Sequence, residues 1–387
     1  MIPYGKQDIT DDDIKAVLDT LKSDFITQGP KIDEFESDIA SKVHSNYGVL
    51  VNSATSALHI ACLSIGLGKN DILWTSANSF VASSNCGLYC GADVSFIDIN
   101  LETYNICLEK LEEKLINAEK NNCLPKVIVV VHLCGQSCDM KKIKEFSDKY
   151  GFKIIEDASH AVGGKYNDKY IGSCEYSDIT VFSFHPVKIV TTAEGGIALT
   201  NNKNLYEKML LLRTHGITRN ENSMQNESDG PWYYEQIHLG LNYRITDIQA
   251  ALGQSQFKRV DEYVKKRNDL AKKYDNYLKD LPLKTPCVLK ECYSSYHLYV
   301  ILLDLENIPK SKKDIFIDLR ERGVGVNIHY IPIPMHPFYK KLGFDEKDYP
   351  NALEYYKKAI SIPLYPKLKE KEQSFVVDAI KDVLTQS

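Results

Sequence analysis

No Gly-x-Gly-x-x-Gly turn follows the first candidate strand, and no Walker A sequence occurs in the 387 residues. The dinucleotide-binding reading therefore loses its main support. No apolar run approaches the roughly 20 residues that span a bilayer. The opening Met1-Ile-Pro-Tyr-Gly-Lys-Gln-Asp8 lacks the basic-then-apolar layout of a signal peptide. No tight metal spacing occurs either. His132-x-Cys134-x3-Cys138 comes nearest, and a strand end with two small thiols accounts for it as well, so no metal is expected. The net charge is only -5, which argues against broad nucleic-acid binding and against a basic membrane-surface protein. Ten cysteines are scattered without a signal peptide, which points to reduced core thiols and a cytoplasmic setting.

What is present suits a soluble globular protein. Hydrophobic residues make up 43% and charged residues 26%, enough for a large core. The length predicts two structural domains. The first ~250 residues alternate β-rich runs with helical patterns, an α/β signature. Strands are expected at Tyr47–Val51, Ile72–Ser76, Val94–Ile99, Val127–His132, Lys153–Asp157, Thr180–Phe184 and Gly196–Thr200. Helices are expected at Ala54–Gly66, Leu108–Ala118, Lys141–Tyr150 and Asn204–Arg213. Thr10 and three aspartates open a helix whose Ile14, Val17, Leu18 and Leu21 share a face. A hairpin should turn at Asn167-Asp168, and residues 220–232 should form a loop. One long helical pattern runs from about Ile245 to Leu281. A smaller α+β region then contains strands at Tyr296–Leu303 and Val324–Tyr330, a helix at Ser311–Arg322 and a closing helix at Glu370–Thr385.

Four segments carry chemistry. In Thr180-Val-Phe-Ser-Phe-His-Pro-Val-Lys-Ile-Val-Thr-Thr-Ala-Glu-Gly-Gly196, Lys188 follows a strand in an apolar setting. Burial penalises the ammonium form, lowers its pKa and leaves a nucleophilic amine suited to a Schiff base. Asp157 ends the apolar run Ile154-Ile-Glu-Asp157. It either caps the next turn or faces a pyridinium nitrogen, the partner that pyridoxal phosphate requires. Val51-Asn-Ser-Ala-Thr-Ser-Ala-Leu58 places hydroxyl residues where a strand enters a helix. This is either an ordinary N-cap or a phosphate site with Thr55 as an added donor. Phe80 is either core or a face for a flat aromatic cofactor. Ligands in open α/β sheets collect at such strand ends.

In this order, these segments resemble the DegT/DnrJ/EryC1/StrS family of sugar aminotransferases. Further markers are Glu156-Asp-Ala-Ser-His160, Glu194-Gly-Gly196, His215-Gly216, Gly240-Leu-Asn-Tyr-Arg-Ile-Thr-Asp-Ile-Gln-Ala-Ala-Leu-Gly253 and His329-Tyr330 with Pro332. The resemblance covers nearly the whole chain. It implies a fold-type I transferase dependent on pyridoxal 5′-phosphate. A large, mainly parallel α/β/α domain would span residues 1–250, and a small C-terminal α+β domain 251–387. Lys188 would bond the cofactor aldehyde, Asp157 would pair with the ring nitrogen, and Phe80 would stack on the ring. Ala54, Thr55 and Ser183 would hold the phosphate, and His160 would lie near the ring. Asn242 would reach the cofactor of a second subunit, making the active unit a homodimer. The lysine at position 188 separates this chain from the dehydratase branch, which carries histidine there.

Ile2-Pro-Tyr-Gly-Lys-Gln-Asp8, Ser23-Asp-Phe-Ile-Thr-Gln-Gly-Pro30 and His132-Leu-Cys-Gly-Gln-Ser-Cys-Asp-Met140 resemble the branch that aminates UDP-4-keto-6-deoxy-β-L-AltNAc on the way to pseudaminic acid. By that likeness Tyr4, Asp24, Phe25, Ile26, Thr27, Asn327, Ile328, His329, Tyr330 and Tyr339 would contact the nucleotide sugar, with L-glutamate as amino donor. Cys134 departs from the alanine more usual there. The lipid A arabinose-pathway aminotransferase shares Ser-Phe-His-x-x-Lys and stands as the alternative. Only seven arginines are present, which disfavours a two-arginine dicarboxylate clamp. A nicotinamide-dependent epimerase would need a glycine-rich first turn and a Tyr-x-x-x-Lys helix, and neither is in place. A non-catalytic cofactor-binding regulator would not need the intact Lys188, Asp157 and phosphate segment.

Overall fold

The computed structural model describes residues 1–385. The N-terminal half alternates helices α1 (Asp11–Leu21), α2 (Pro30–Val43), α3 (Ala54–Ile65), α4 (Ala82–Tyr89), α5 (Leu108–Lys120) and α6 (Met140–Tyr150) with strands. The strands are β1 (Tyr47–Val51), β2 (Ile72–Ser76), β3 (Asp93–Ile97), β4 (Val127–Val131) and β5 (Lys153–Asp157). The expected hairpin is present as β6 (Lys165–Tyr166) and β7 (Lys169–Tyr170), with Asn167 and Asp168 both at positive φ. Then come β8 (Ile179–Ser183), β9 (Gly196–Thr200) and α7 (Lys203–Arg213).

Seven strands form one sheet in the order β1-β9-β8-β5-β4-β2-β3. Neighbours are parallel from β8 to β3, and β9 runs antiparallel between β1 and β8. The central strand β4, Val127-Ile-Val-Val-Val131, is apolar on both faces because helices cover both. Val127 and Val129 pack with α3 and α4, whereas Ile128 and Val130 pack with Leu111 and Leu115 of α5 and Ile143 and Phe146 of α6.

Gly196 pairs with Val51 on one side and Ser183 on the other. A Cβ there would lie 2.6 Å from the Ala54 amide nitrogen, so glycine is what lets the start of α3 sit against β9. That contact sets the first turn of α3 beside the end of β8.

After the loop, which includes the short pair β10 (Ile217–Thr218) and β11 (Glu235–Gln236), the chain departs from the expected single helix. It forms α8 (Asp247–Phe257) and α9 (Val260–Leu278), interrupted at Lys258-Arg259. A capping box of Thr246 and Gln249 starts α8, which lies along α1 and α2. The break turns α9 away toward the C-terminal part. There β12 (Leu283–Lys284), β14 (Tyr299–Leu303) and β15 (Ala359–Ile362) form a three-stranded sheet, and β13 (Cys292–Tyr293) pairs back onto β6. Helices α10 (Lys312–Glu321), α11 (Pro337–Lys341), α12 (Pro350–Lys358) and α13 (Glu370–Thr385) complete it. Ser311 caps α10 as expected.

One further expectation is corrected. Val324–Tyr330 is not a strand. It makes only the lone bridges Ile2↔Val324 and Asn327↔Ser361, because its latter half turns into a cavity. The apolar face of α1 does not enter the core: Ile14, Leu18 and Leu21 are 50%, 47% and 51% exposed. The helix is docked by its polar side. Asp13 accepts from Ser255 Oγ at 2.6 Å, Gln256 Nε2 at 2.8 Å and Arg259 at 2.7 Å. All ten cysteines are free thiols. Among the described residues no helix is long and apolar enough to cross a membrane.

Candidate active site

A cavity of about 460 Å³ opens at the C-terminal ends of the parallel strands. Its wall includes Lys188, Asp157, Ala54, Thr55, Ser183, Phe80 and His160. From the chain's ends come Tyr4, Asn327, Ile328, His329 and Tyr330. Six segments far apart in sequence therefore meet at one place.

Lys188 projects from the turn between β8 and β9, partly buried in the wall. Burial lowers its pKa from the ordinary lysine value to about 8, with the nearby Asp157 charge opposing the shift. Asp157 ends β5 and is buried. Its Oδ2 accepts from Ser83 at 2.6 Å, and its Oδ1 from Ser159 Oγ at 2.6 Å. It thus caps the Ser159 turn and lines the cavity at once.

The first turn of α3 is a ready anion cradle. Ser53 spends its side chain on the Ser56 amide, and among the described residues no acceptor meets the amides of Ala54 or Thr55. Two free N–H groups at a helix start favour a phosphate. Phe80 is 55% exposed with its ring at the cavity, not in the core. This donor set fits pyridoxal phosphate: amides for the phosphate, a carboxylate for the ring nitrogen, an amine for the aldehyde and an aromatic face for the ring.

His160 is buried. Its Nε2 lies 3.1 Å from the Tyr330 hydroxyl, and its Nδ1 3.3 Å from the Cys134 amide nitrogen. His329 is driven down to about 3 by burial and by the Lys188 charge. Wall residues given no site role from sequence include Ser79, His185, Val187, Glu194 and His297. His297 is the second residue of the expected strand Tyr296–Leu303, and nothing in periodicity marks it.

Other expected residues lie elsewhere. Tyr339 does not reach the cavity. It is buried, with its hydroxyl held by Ser84 at 2.6 Å and Asn85 at 2.5 Å, so its observed work is to hold α4. Asp24 and Phe25 line a separate groove between α1 and α8. Ile26 is exposed, and Thr27 bridges Thr246. Asn242 is exposed, bridged to Thr214 and away from this chain's own cavity. His132, the expected nearest approach to a metal ligand, is instead hydrogen-bonded to Glu156 at 2.7 Å and to the Cys138 amide at 3.1 Å.

A model of the DegT/DnrJ/EryC1/StrS aminotransferase family matches residues 7–381. The chain belongs to this family. It is 39% identical to the UDP-4-amino-4,6-dideoxy-N-acetyl-beta-L-altrosamine transaminase of Campylobacter jejuni subsp. jejuni serotype O:23/36 (strain 81-176), over 99% of this chain and 98% of that one. Among solved structures, Helicobacter pylori PseC, described as an aminotransferase involved in the biosynthesis of pseudoaminic acid, superposes with a TM-score of 0.91 at 31% identity over 99% of each chain. The PLP form of a sugar aminotransferase from Streptococcus pneumoniae, Spr1654, gives 0.87 at 29% identity over 99% of this chain and 98% of that one. In this aminotransferase Lys188, Asp157 and the start of α3 line one cavity.

Proposed function

We propose that this aminotransferase converts a UDP-linked 4-keto-6-deoxy-N-acetylhexosamine, UDP-4-keto-6-deoxy-β-L-AltNAc, to its 4-amino sugar with pyridoxal phosphate and L-glutamate. The observation that carries the reading is the placement of Lys188, Asp157 and the free Ala54 and Thr55 amides around one cavity. The likeness to the Campylobacter jejuni transaminase and to PseC supports the sugar.

Bound there, pyridoxal phosphate supplies a ring that accepts the electron pair left at a deprotonated carbon. The chain's own residues do the rest. The Ala54 and Thr55 amides and the Ser183 hydroxyl hold the phosphate. Asp157, kept in place by Ser83 and Ser159, holds a proton on the ring nitrogen. Lys188, easily neutral because of its burial, takes the proton from Cα of glutamate in the first half-reaction. It delivers a proton to C4 of the sugar in the second. Phe80 and the apolar wall keep water from the reacting atoms.

The functional unit is a homodimer in this reading. Among the described wall residues Lys188 is the one lysine, no arginine contributes, and Asp157 and Glu194 are carboxylates. Beyond the phosphate cradle such a wall offers little to the anionic UDP and glutamate, and Asn242 and Asp24–Thr27 lie outside this cavity, free for a second subunit to use. The uncovered face of α1 supports the same view. The part from residue 251 onward is read as a small domain closing over the sugar, in a cytoplasmic enzyme.

The test is direct. Purified protein reconstituted with pyridoxal phosphate should show a Schiff-base band that glutamate bleaches. A panel of UDP-, TDP- and GDP-4-keto-6-deoxy sugars, read by mass spectrometry, should give amination of the UDP-AltNAc ketone. No band, or amination confined to other sugars, would overturn the proposal.

A further inference from the structure

The Tyr330 ring sits 5.9 Å from that of Phe80 at the cavity wall. Its hydroxyl is 3.1 Å from His160 Nε2. Which of these two donates is decided on the far side of the imidazole. His160 Nδ1 faces the Cys134 backbone amide, at 3.3 Å. A backbone N–H can only donate, so Nδ1 must offer its lone pair. A neutral imidazole with an accepting Nδ1 carries its proton on Nε2. The charged ring is disfavoured, first by burial and then by the Lys188 and His329 charges, which hold His160 well below its ordinary pKa. His160 Nε2–H therefore donates to the Tyr330 oxygen.

That leaves the phenol with its accepting side engaged and its O–H unspent. Among the described residues the Tyr330 hydroxyl has no hydrogen-bond partner but His160. Burial first, then the Asp157, Cys134 and Tyr4 charges, raise its pKa, so it stays protonated. His297 backs the pair. Its ring lies 4.4 Å from that of His160, and Nδ1 is buried without a partner. The buried Arg267 seats it by donating to the carbonyls of Tyr296, His297 and Leu364.

We propose that Tyr330 is a one-way hydrogen-bond donor of the site: the Cys134 amide sets the His160 tautomer, His160 saturates the phenol oxygen, and the phenol proton is left for an unprotonated oxygen of the bound ligand at the reacting centre. Two oxygens have this chemistry, the keto oxygen of the sugar and the phenolate oxygen of the cofactor ring. The inference rests on the aminotransferase reading for the ligand, but its hydrogen-bond chain stands on the protein alone.

The experiment has two arms. In the first, protein labelled with ¹⁵N-histidine and free of cofactor is read by NMR at pH 7, with His160→Gln assigning the signals. His160 should be the Nε2–H tautomer. An Nδ1–H tautomer or an imidazolium would overturn the proposal. In the second, Tyr330→Phe, which keeps the ring, is loaded with pyridoxal phosphate and its two half-reactions are timed separately. Loss of one donor should slow the sugar half-reaction about tenfold. A shifted absorbance band as well identifies the cofactor oxygen. An unshifted band identifies the keto oxygen. An unchanged band and unchanged rates would overturn the proposal. His160→Leu should match Tyr330→Phe, and His160→Gln, which retains a donor toward Tyr330, should recover most of the rate. If glutamate fails to bleach wild-type protein, the functional reading falls, and the NMR arm still decides the hydrogen-bond chain.

Discussion

Ser83 donates its hydroxyl proton to Asp157 Oδ2 at 2.6 Å, from the first turn of α4 to the end of β5. Both groups are buried, so no solvent competes. Ser83→Ala should leave the carboxylate free to rotate on its Ser159 bond. The expected result is a fall in kcat of about tenfold with KM for glutamate little changed, since one hydrogen bond to a charged group contributes about 1.5 kcal/mol. Single-turnover kinetics with glutamate checks this, and an equal loss in kcat and folding stability would argue for a merely structural role.

The low pKa of Lys188 has a kinetic signature. Its burial places the amine's titration at about 8. The neutral fraction, and with it the rate at which cofactor-free protein captures pyridoxal phosphate, should rise with pH and level off above about 8. Stopped-flow absorbance between pH 6 and 11 measures it. A rate still climbing toward the ordinary lysine value of ~10.4 would contradict the burial argument. Lys188→Ala should abolish turnover.

Asp13 ties α1 to α8. Burial alone would raise its pKa, but Ser255, the Thr10 amide and Arg259 outweigh burial and hold it below the ordinary value. A carboxylate depressed in the folded state stabilises above its unfolded pKa, and that contribution is lost as pH falls through the folded one. Asp13→Asn should therefore cost about 3 kcal/mol near neutrality. The gap to wild type should narrow toward pH 3. Urea unfolding at the two pH values tests both the size and the sign.

The outward face of α1 makes a separate prediction. If Ile14, Leu18 and Leu21 meet a second subunit, Leu18→Glu should yield monomers by light scattering. Folding should be retained, because Leu18 is 47% exposed in the single chain. A dimer unchanged by Leu18→Glu and by Leu21→Glu would place the interface elsewhere.

The strand ends were legible because chemistry and pattern coincide there. Asp157 closes one apolar run of parallel-sheet type and Lys188 follows another in the turn after β8, and a charge at such a place needs a reason. Periodicity also located α3, α6 and β5 to within a residue. It failed where it reports a face without naming what covers it. The α1 stripe is as periodic as that of a core helix, yet the docking force is Asp13, roughly a quarter-turn round the helix from it. It failed again at Lys258-Arg259, where no proline or glycine marks the break and both halves keep helical spacing. Phe80 was undecided for a similar reason, since an aromatic after a strand reads alike in a core and in a wall. His297 and the donor sense of Tyr330 depend on contacts over more than 100 residues of sequence, such as the 170 that separate His160 from Tyr330.

The cavity draws on residues from Tyr4 to Tyr330, so it exists only when almost the whole chain is in place. The colour of the reconstituted protein is then a gauge of global assembly. During refolding it should return after the far-ultraviolet dichroism of the helices, and in a library of variants it would sort whole molecules from partly built ones by eye. It would also expose any fragment that keeps Lys188 and loses either end, which should remain colourless at cofactor concentrations that stain the intact protein.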